Sequence, residues 1–200
     1  MLHRRAVMAA ALLLPGPVRA AARLGEDGLY QHDWYPESFL DLAEDLETAA
    51  AAGKRLAILW GLKGCPACRR MHEVHLADPA TEAYIKANFE ILHLNHIGAR
   101  VVTDFDGRKL AEKALADAYA VRFTPTIQFL PERAEGLAGR APRAREVARM
   151  PGLLEPAAFL AMFRYVRSRG YERAGFDEWM KRSGRPAVDY LLTGESGSNR

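Results

Sequence analysis

Gly64-Cys65-Pro66-Ala67-Cys68-Arg69 holds the only two cysteines in a chain of 200 residues. A loop closed between neighbours this close removes little entropy from the unfolded chain. The pair is therefore a poor staple for a chain that is 49% hydrophobic and long enough to bury its own core, and it reads as chemistry. Before it, Arg55-Leu56-Ala57-Ile58-Leu59-Trp60-Gly61 is short, apolar and bounded by glycines, which predicts a buried strand. After it, Met71, Val74 and Leu76 recur without a breaker, which predicts a helix. The C-x-x-C thus sits at a strand-to-helix turn, with Pro66 in the first turn, where a missing N–H has no helical partner to lose. Free N–H groups and the positive end of the helix dipole favour a thiolate at Cys65, the species that attacks disulfides. Cys68, one turn in, is placed to resolve the mixed disulfide.

Outward from this centre the chain alternates helix and strand. Phe39, Leu42, Leu46, Ala49 and Ala50 predict a helix from Ser38 to Ala52, stopped by Gly53. Asp78-Pro79 is a cap followed by a first-turn proline, so the helix after the cysteines kinks or restarts there and runs through Tyr84, Ile85 and Phe89. Glu90 to Asn95 alternates as a strand, and Arg100 to Asp106 is a short extended insertion before the Asp106-Gly107 turn. A helix from about Leu110 to Tyr119 leads to a strand over Val121 to Leu130, entered through Pro125. Residues 131–144 are rich in Pro, Gly, Ala and Arg and read as an exposed loop. Arg145 to Met150 reads as an edge strand, Pro151-Gly152 as a turn, and Glu155-Pro156 opens a helix whose stripe of Phe159, Phe163 and Val166 is core. A helical tail around Phe176 to Met180 and a Gly/Ser/Asn-rich, disordered end at 194–200 complete the chain.

Residues 1–20 run from a basic start, Arg4-Arg5, through an apolar stretch, Ala6 to Leu14, to a small-residue end at Ala20. This is the pattern of a secretory signal, too short to span a bilayer, with cleavage expected after Ala20 and a periplasmic mature protein. The Arg4-Arg5 pair suits an ordinary basic start and twin-arginine export alike. Losing Arg4, Arg5 and Arg19, with no acid among them, takes the formal charge from +3 to about zero, which leaves nucleic-acid binding unsupported. The expected organisation is a lead at 21–36, a domain at 37–169, a helical extension at 170–193 and the tail.

The order of elements resembles the thioredoxin fold, an α/β architecture with a mixed central sheet flanked by helices on both faces. The residues that carry the resemblance are Trp60 through Cys68 and, further on, Thr124-Pro125-Thr126. The resemblance implies a cis-proline at Pro125 facing the disulfide, with Thr124 and Pro125 holding the substrate backbone, and cis bonds are largely confined to X–Pro. Trp60 and Pro66 are expected to shield and border the same site, with Trp60 reading equally as core. Thr103-Asp104-Phe105-Asp106-Gly107, Phe123-Thr124-Pro125-Thr126 and Met150-Pro151-Gly152 followed by Phe159-Leu160-Ala161-Met162 are similar, more narrowly, to the SoxW-type periplasmic thioredoxins of bacterial sulfur-oxidation clusters. That implies a monomeric reductase of exported protein thiols and disulfides, recharged by a membrane thiol donor, with no cofactor because the redox equivalents reside in Cys65 and Cys68. Reduction potentials of such centres span about −270 to −120 mV, where 30 mV is about 1.4 kcal/mol, so small changes in thiolate stabilisation set the direction of flow. The sequence departs from the family at Leu59, where typical thioredoxins carry a buried acid that serves the resolving thiol. Glu44, Lys63 and Glu73 are the available stand-ins, and each reads better as a surface charge.

The competing reading is a metal-binding or copper-delivery protein. Cys65, Cys68, His72 and His75 form C-x2-C-x3-H-x2-H, a ligand set suited to zinc or copper, with His93 and His96 in reserve. Helical geometry opposes the simple version. His72 shares a face with Cys68, whereas His75 is rotated away, so converging all four on one ion requires breaking the helix. No metal is expected, and His72 is expected near the thiols, where it would tune them.

Overall fold

The computed structural model describes residues 22–183 and a short strand at 190–191. The expected signal at 1–20 and tail at 194–200 lie outside the described residues, as does most of the expected extension beyond 183. In chain order the elements are β1 (Arg23–Leu24), β2 (Tyr30–Gln31), α1 (Leu42–Ala51), β3 (Arg55–Gly61) and α2 (Pro66–Arg70), which continues as one π-helical turn, Met71–His75. There follow α3 (Pro79–Asn88), β4 (Phe89–Asn95), β5 (Val101–Thr103), β6 (Lys109–Ala111), α4 (Glu112–Ala118) and β7 (Thr126–Phe129). The chain closes with β8 (Ala148–Pro151), β9 (Leu153–Leu154), α5 (Pro156–Arg167), α6 (Phe176–Arg182) and β10 (Tyr190–Leu191).

The central sheet has the order β4-β3-β7-β8, with β3 parallel to β4, antiparallel to β7, and β7 antiparallel to β8. Every residue of β3 is buried, as expected of a continuous apolar run covered on both faces. Alternation then sorts the core into two layers. Ala57, Leu59, Phe89, Ile91, Ile127 and Phe129 meet α2, α3 and α5, where Phe89, Phe129 and Phe163 stand edge to face with centroids 5.0 to 6.0 Å apart. Leu56, Ile58, Trp60, Leu92 and Leu94 meet α1 and α4 on the other side. This is the mixed sheet between helical layers that the sequence implied.

Local chemistry sets the element ends. Asp41 accepts from the N–H groups of Ala43 and Glu44 at 3.0 and 3.1 Å, so α1 starts at Leu42 rather than near Ser38, and Phe39 is left 94% exposed instead of entering the core. Asp78 caps α3 through the Thr81 N–H, with Pro79 in its first turn, which produces the expected restart. β7 begins only at Thr126, because Pro125 has no N–H to extend the ladder. β8 begins at Ala148, since Arg145 closes a 3-10 turn (Pro142–Arg145) and turns inward to buried partners. Three features were not anticipated: the β1–β2 hairpin in the lead, burial of Leu137 in the loop at 131–144, and β10, a strand paired with β9 where only helix was expected.

Candidate active site

β3 delivers the chain to the site and Gly64, at φ +75°, turns it into α2. Cys65 is the N-cap of that helix, and its sulfur accepts the Cys68 N–H at 3.1 Å. Cys65 and Cys68 are joined as a disulfide with Cα atoms 5.2 Å apart. The two sulfurs are unequal. Cys65 is half-buried at the surface, whereas Cys68 is 3% exposed beneath it. A bond from an amide N–H to the sulfur favours the thiolate at Cys65 once the pair is reduced, while burial disfavours it at Cys68.

Across from them, the Thr124–Pro125 peptide is cis, the Thr124 carbonyl oxygen lies 3.4 Å from the Cys65 sulfur, and the Thr124 hydroxyl approaches that sulfur at 3.5 Å. Pro125 is buried and its carbonyl accepts from Gly152 N at 2.8 Å, which ties this loop to the β8–β9 turn. Phe123, next in line, is 66% exposed. On the far side of Cys65 a cleft of about 430 Å³ opens between the β1–β2 hairpin and the start of α2, lined among others by Leu24, Tyr30, Lys63, Cys65, Pro66 and Arg69. Pro66 is exposed at its edge.

Trp60 is not at this rim. It is wholly buried in the layer opposite α2, where its indole N–H donates to the Gln128 side-chain oxygen. The alternation of β3 turns Trp60 away from the face that carries Leu59 and Gly61, so its position on the strand made it core. Glu44, Lys63 and Glu73 are all exposed, as surface charges are, and Leu59 is packed in the apolar layer.

The four-ligand arrangement of cysteines and histidines is not brought together. His75 faces away, its Nε2 2.9 Å from the Leu154 carbonyl, and His96 Nε2 sits 3.1 Å from the Val121 carbonyl. Among the described residues no group of three or more His, Cys, Asp or Glu side chains forms a metal-ligand set. His72 points elsewhere again, into a buried cluster that the sequence did not reveal. Its Nδ1 is 3.1 Å from His32 Nε2 and 3.5 Å from the Tyr35 hydroxyl, its ring stacks on Tyr30 at 5.4 Å, and the His93 ring stands 5.4 Å away. His93 comes from β4, in register with Leu59, and lies against Gly61, where an added Cβ would be 2.5 Å from its Nε2. Burial pushes the His72 pKa down to about 2, with His93 and His32 adding to the effect, and the His93 pKa down to about 4. That of His32 is lowered by burial, against the pull of Glu82 and Asp33. All three are neutral imidazoles near neutral pH. The signal available in sequence was the aromatic run Tyr30 to Tyr35 with a histidine inside it; nothing in its spacing links it to His72 or His93.

A Thioredoxin-like domain family model matches residues 42–167, more than half of the chain. The chain belongs to the thioredoxin-like family. Among solved structures it is similar to a thioredoxin-fold protein from Helicobacter pylori, with TM-score 0.51 and 21% identity over 66% of this chain and 80% of that one. A thioredoxin from Thermus thermophilus aligns with TM-score 0.49 and 27% identity over 68% and 87% of the two chains. A DsbH oxidoreductase aligns with TM-score 0.45 and 18% identity over 80% and 95%. No curated protein matches the chain. The family match covers both cysteines and the Thr124–Pro125 loop of this thioredoxin-like domain. It excludes residues 22–41, so Tyr30, which lines the cleft beside Cys65, and His32 and Tyr35, which pack with it on His72, come from outside the matched region.

Proposed function

We propose that the protein is an exported thiol–disulfide oxidoreductase that acts on cysteines of other exported proteins through Cys65 and Cys68. The observation that carries this reading is the unequal pair itself: a half-exposed sulfur at a helix N-cap, joined to a buried one, beside a cis-proline loop. In the reducing direction the Cys65 thiolate attacks a substrate disulfide, forming a mixed disulfide and releasing one substrate thiolate. Cys68 then attacks the Cys65 sulfur, the Cys65–substrate bond breaks, and the second substrate sulfur leaves with the electron pair. The Thr124 backbone, 3.4 Å from the attacking sulfur, is positioned to hold an extended substrate segment alongside. No cofactor is needed, because the two electrons are stored in the thiol pair. The SoxW resemblance supports a periplasmic reductase recharged by a membrane thiol donor, with exported sulfur-oxidation proteins as substrates, and the signal pattern at 1–20 supports export.

Substitution Cys68→Ser tests this in the producing cell. Attack by Cys65 persists and release does not, so partners accumulate as adducts that a reductant dissolves and mass spectrometry identifies. Cys65→Ser accumulates none. A Cys68→Ser protein that traps nothing while partner disulfides are present removes the exchange mechanism.

A further inference from the structure

The cleft beside Cys65 carries more chemistry than thiol exchange alone requires. Its charged lining residues are both cations, Lys63 ahead of the cysteine turn and Arg69 on α2, and no acid lines it among the described residues. Arg69 is loosely paired, with Glu73 at 3.8 Å, and Lys63 makes no ion pair with any described residue. The other side chains of the wall include the apolar Leu24, Tyr30 and Pro66.

The fold builds this wall and fixes it. Leu24 and Tyr30 are cross-strand partners in the β1–β2 hairpin, so their side chains share one face. The buried Leu29 and the stacking of Tyr30 on His72 tie the hairpin to the body. Its turn carries Gly28 at φ +77°, where an added Cβ would stand 2.7 Å from Lys63 Cγ, so the Lys63 stem lies against the turn and is held there. The hairpin precedes residue 42, where the family match begins, and is therefore a wall that this chain adds to the matched domain.

We infer that the cleft seats one flank of the substrate segment and selects protein cysteines that have an Asp or Glu within a few residues, beside an apolar residue. This rests on the oxidoreductase reading above and names the substrate class of the same site. The cis-Pro125 loop lies on one side of Cys65 and the cleft on the other. A segment that crosses the sulfur thus meets the loop with one flank and the two cations with the other. A small anionic disulfide would leave Leu24, Tyr30 and Pro66 uncovered, whereas a segment with a carboxylate and an apolar side chain covers both kinds of surface. Charge complementarity of this sort raises the rate of productive encounter, and salt screens it.

The test follows reduced protein with peptides whose single cysteine is a mixed disulfide with thiopyridine, an uncharged leaving group. The Cys65 thiolate attacks the peptide sulfur, and thiopyridone leaves with the electron pair and takes a proton from water. Cys68 then attacks the Cys65 sulfur and the peptide leaves as its thiolate. Two peptides differ only in carrying Glu or Lys, next to a leucine, on both flanks of the cysteine. Each rate is divided by that of dithiothreitol with the same peptide, which removes differences in intrinsic reactivity. The Glu peptide should react roughly tenfold faster than the Lys peptide at low salt, and less than about threefold faster at about 0.5 M salt. Lys63→Glu should reverse the order, and the comparison of two peptides on one enzyme cancels any change the substitution makes to the Cys65 thiolate. Arg69→Gln should narrow the ratio by about a factor of two, and serves if Lys63→Glu fails to fold. Equal rates for the two peptides, or a preference that both variants keep, overturn the assignment and leave the oxidoreductase reading standing. So does a mercaptoacetate disulfide of thiopyridine that reacts as fast as the Glu peptide, since the cleft would then serve a small anion. A wild-type protein that stays as the peptide adduct and releases no peptide thiol overturns both.

Discussion

Asp104, Glu112 and Arg145 on the α1/α4 side of the sheet are as deeply buried as His72 and His93 on the α2 side, yet the two groups treat their hydrogen bonds in opposite ways. Asp104 accepts from the N–H groups of Asp106 and Arg108 and from the Arg108 guanidinium, at 2.7 to 2.9 Å. Arg145 donates to Asp106, to the Tyr119 hydroxyl and to the Arg140 carbonyl, and Glu112 accepts from Asn95 N and from Arg100. On the α2 side, His72 Nε2 and Trp34 Nε1 have no hydrogen-bond partner among the described residues, and His93 has no more than a loose contact with the Tyr30 backbone. Buried polar groups left this way cost stability and are uncommon, whereas a satisfied network locks one conformation. The charged region therefore reads as structure: it pins the β5–β6 hairpin and the loop before β8. The histidine region has no such network beyond the 3.1 Å contact of His72 with His32, so it is held by ring packing rather than by hydrogen bonds.

The sharpest way to break this contrast is on the satisfied side. Asp104→Ala removes four hydrogen bonds, leaves the Asp106 and Arg108 N–H groups and the Arg108 guanidinium without their acceptor, and takes a carboxylate from 3.9 Å of the buried Arg145, so urea unfolding should show a loss of about 3–5 kcal/mol with a wild-type fold otherwise. A loss under about 1 kcal/mol would show that the network is ornamental and that satisfaction does not separate the two regions.

Next in size is the response to acid. His72 and His93 titrate at their ordinary value of 6.5 when unfolded but at about 2 and about 4 in the folded protein. Below pH 6.5 the unfolded chain binds protons that the folded one refuses, so stability is complete above that value and falls as pH drops toward 4, by about 1.4 kcal/mol per pH unit for each group. Urea midpoints measured at about pH 7, 6 and 5 follow this decline, and His93→Leu should make it shallower, His72, His32 and His75 keeping the rest. A midpoint flat across that range would mean that the imidazoles are hydrated and not buried as the structure has them.

What could be read from the chain divides along the same line. β3, the cysteine turn, the restart at Asp78-Pro79 and the α5 stripe were legible, because each is set by residues close in sequence: an apolar run, a cap, a proline, a 3.6-residue period. The strand ends near Pro125 and Arg145 and the place of Trp60 were not, since a ladder end or a buried guanidinium depends on what lies opposite in space. The cysteines and Thr124-Pro125 stood out by their motifs. The histidine cluster did not, because it joins the lead, the active-site helix and β4 across a sequence span of 61 positions, from His32 to His93, and only the fold makes these neighbours.

The smallest effect is the most discriminating. His93→Leu, at a site 7% exposed and pressed against Gly61, would be costly if the imidazole were held by hydrogen bonds as Asp104 is. Its nitrogens bond no side chain and make at most a loose contact with the Tyr30 backbone, so the substitution removes poorly satisfied buried polar atoms and replaces the ring with an apolar group of similar bulk. The gain in desolvation and the loss in ring packing against Tyr35 and His72 are each of order 1 kcal/mol and opposite in sign. Stability near pH 7 should therefore change by less than about 1 kcal/mol. A destabilisation of about 3 kcal/mol or more would show that His93 holds a partner, such as an enclosed water, and would move the histidine region to the hydrogen-bonded side of the comparison.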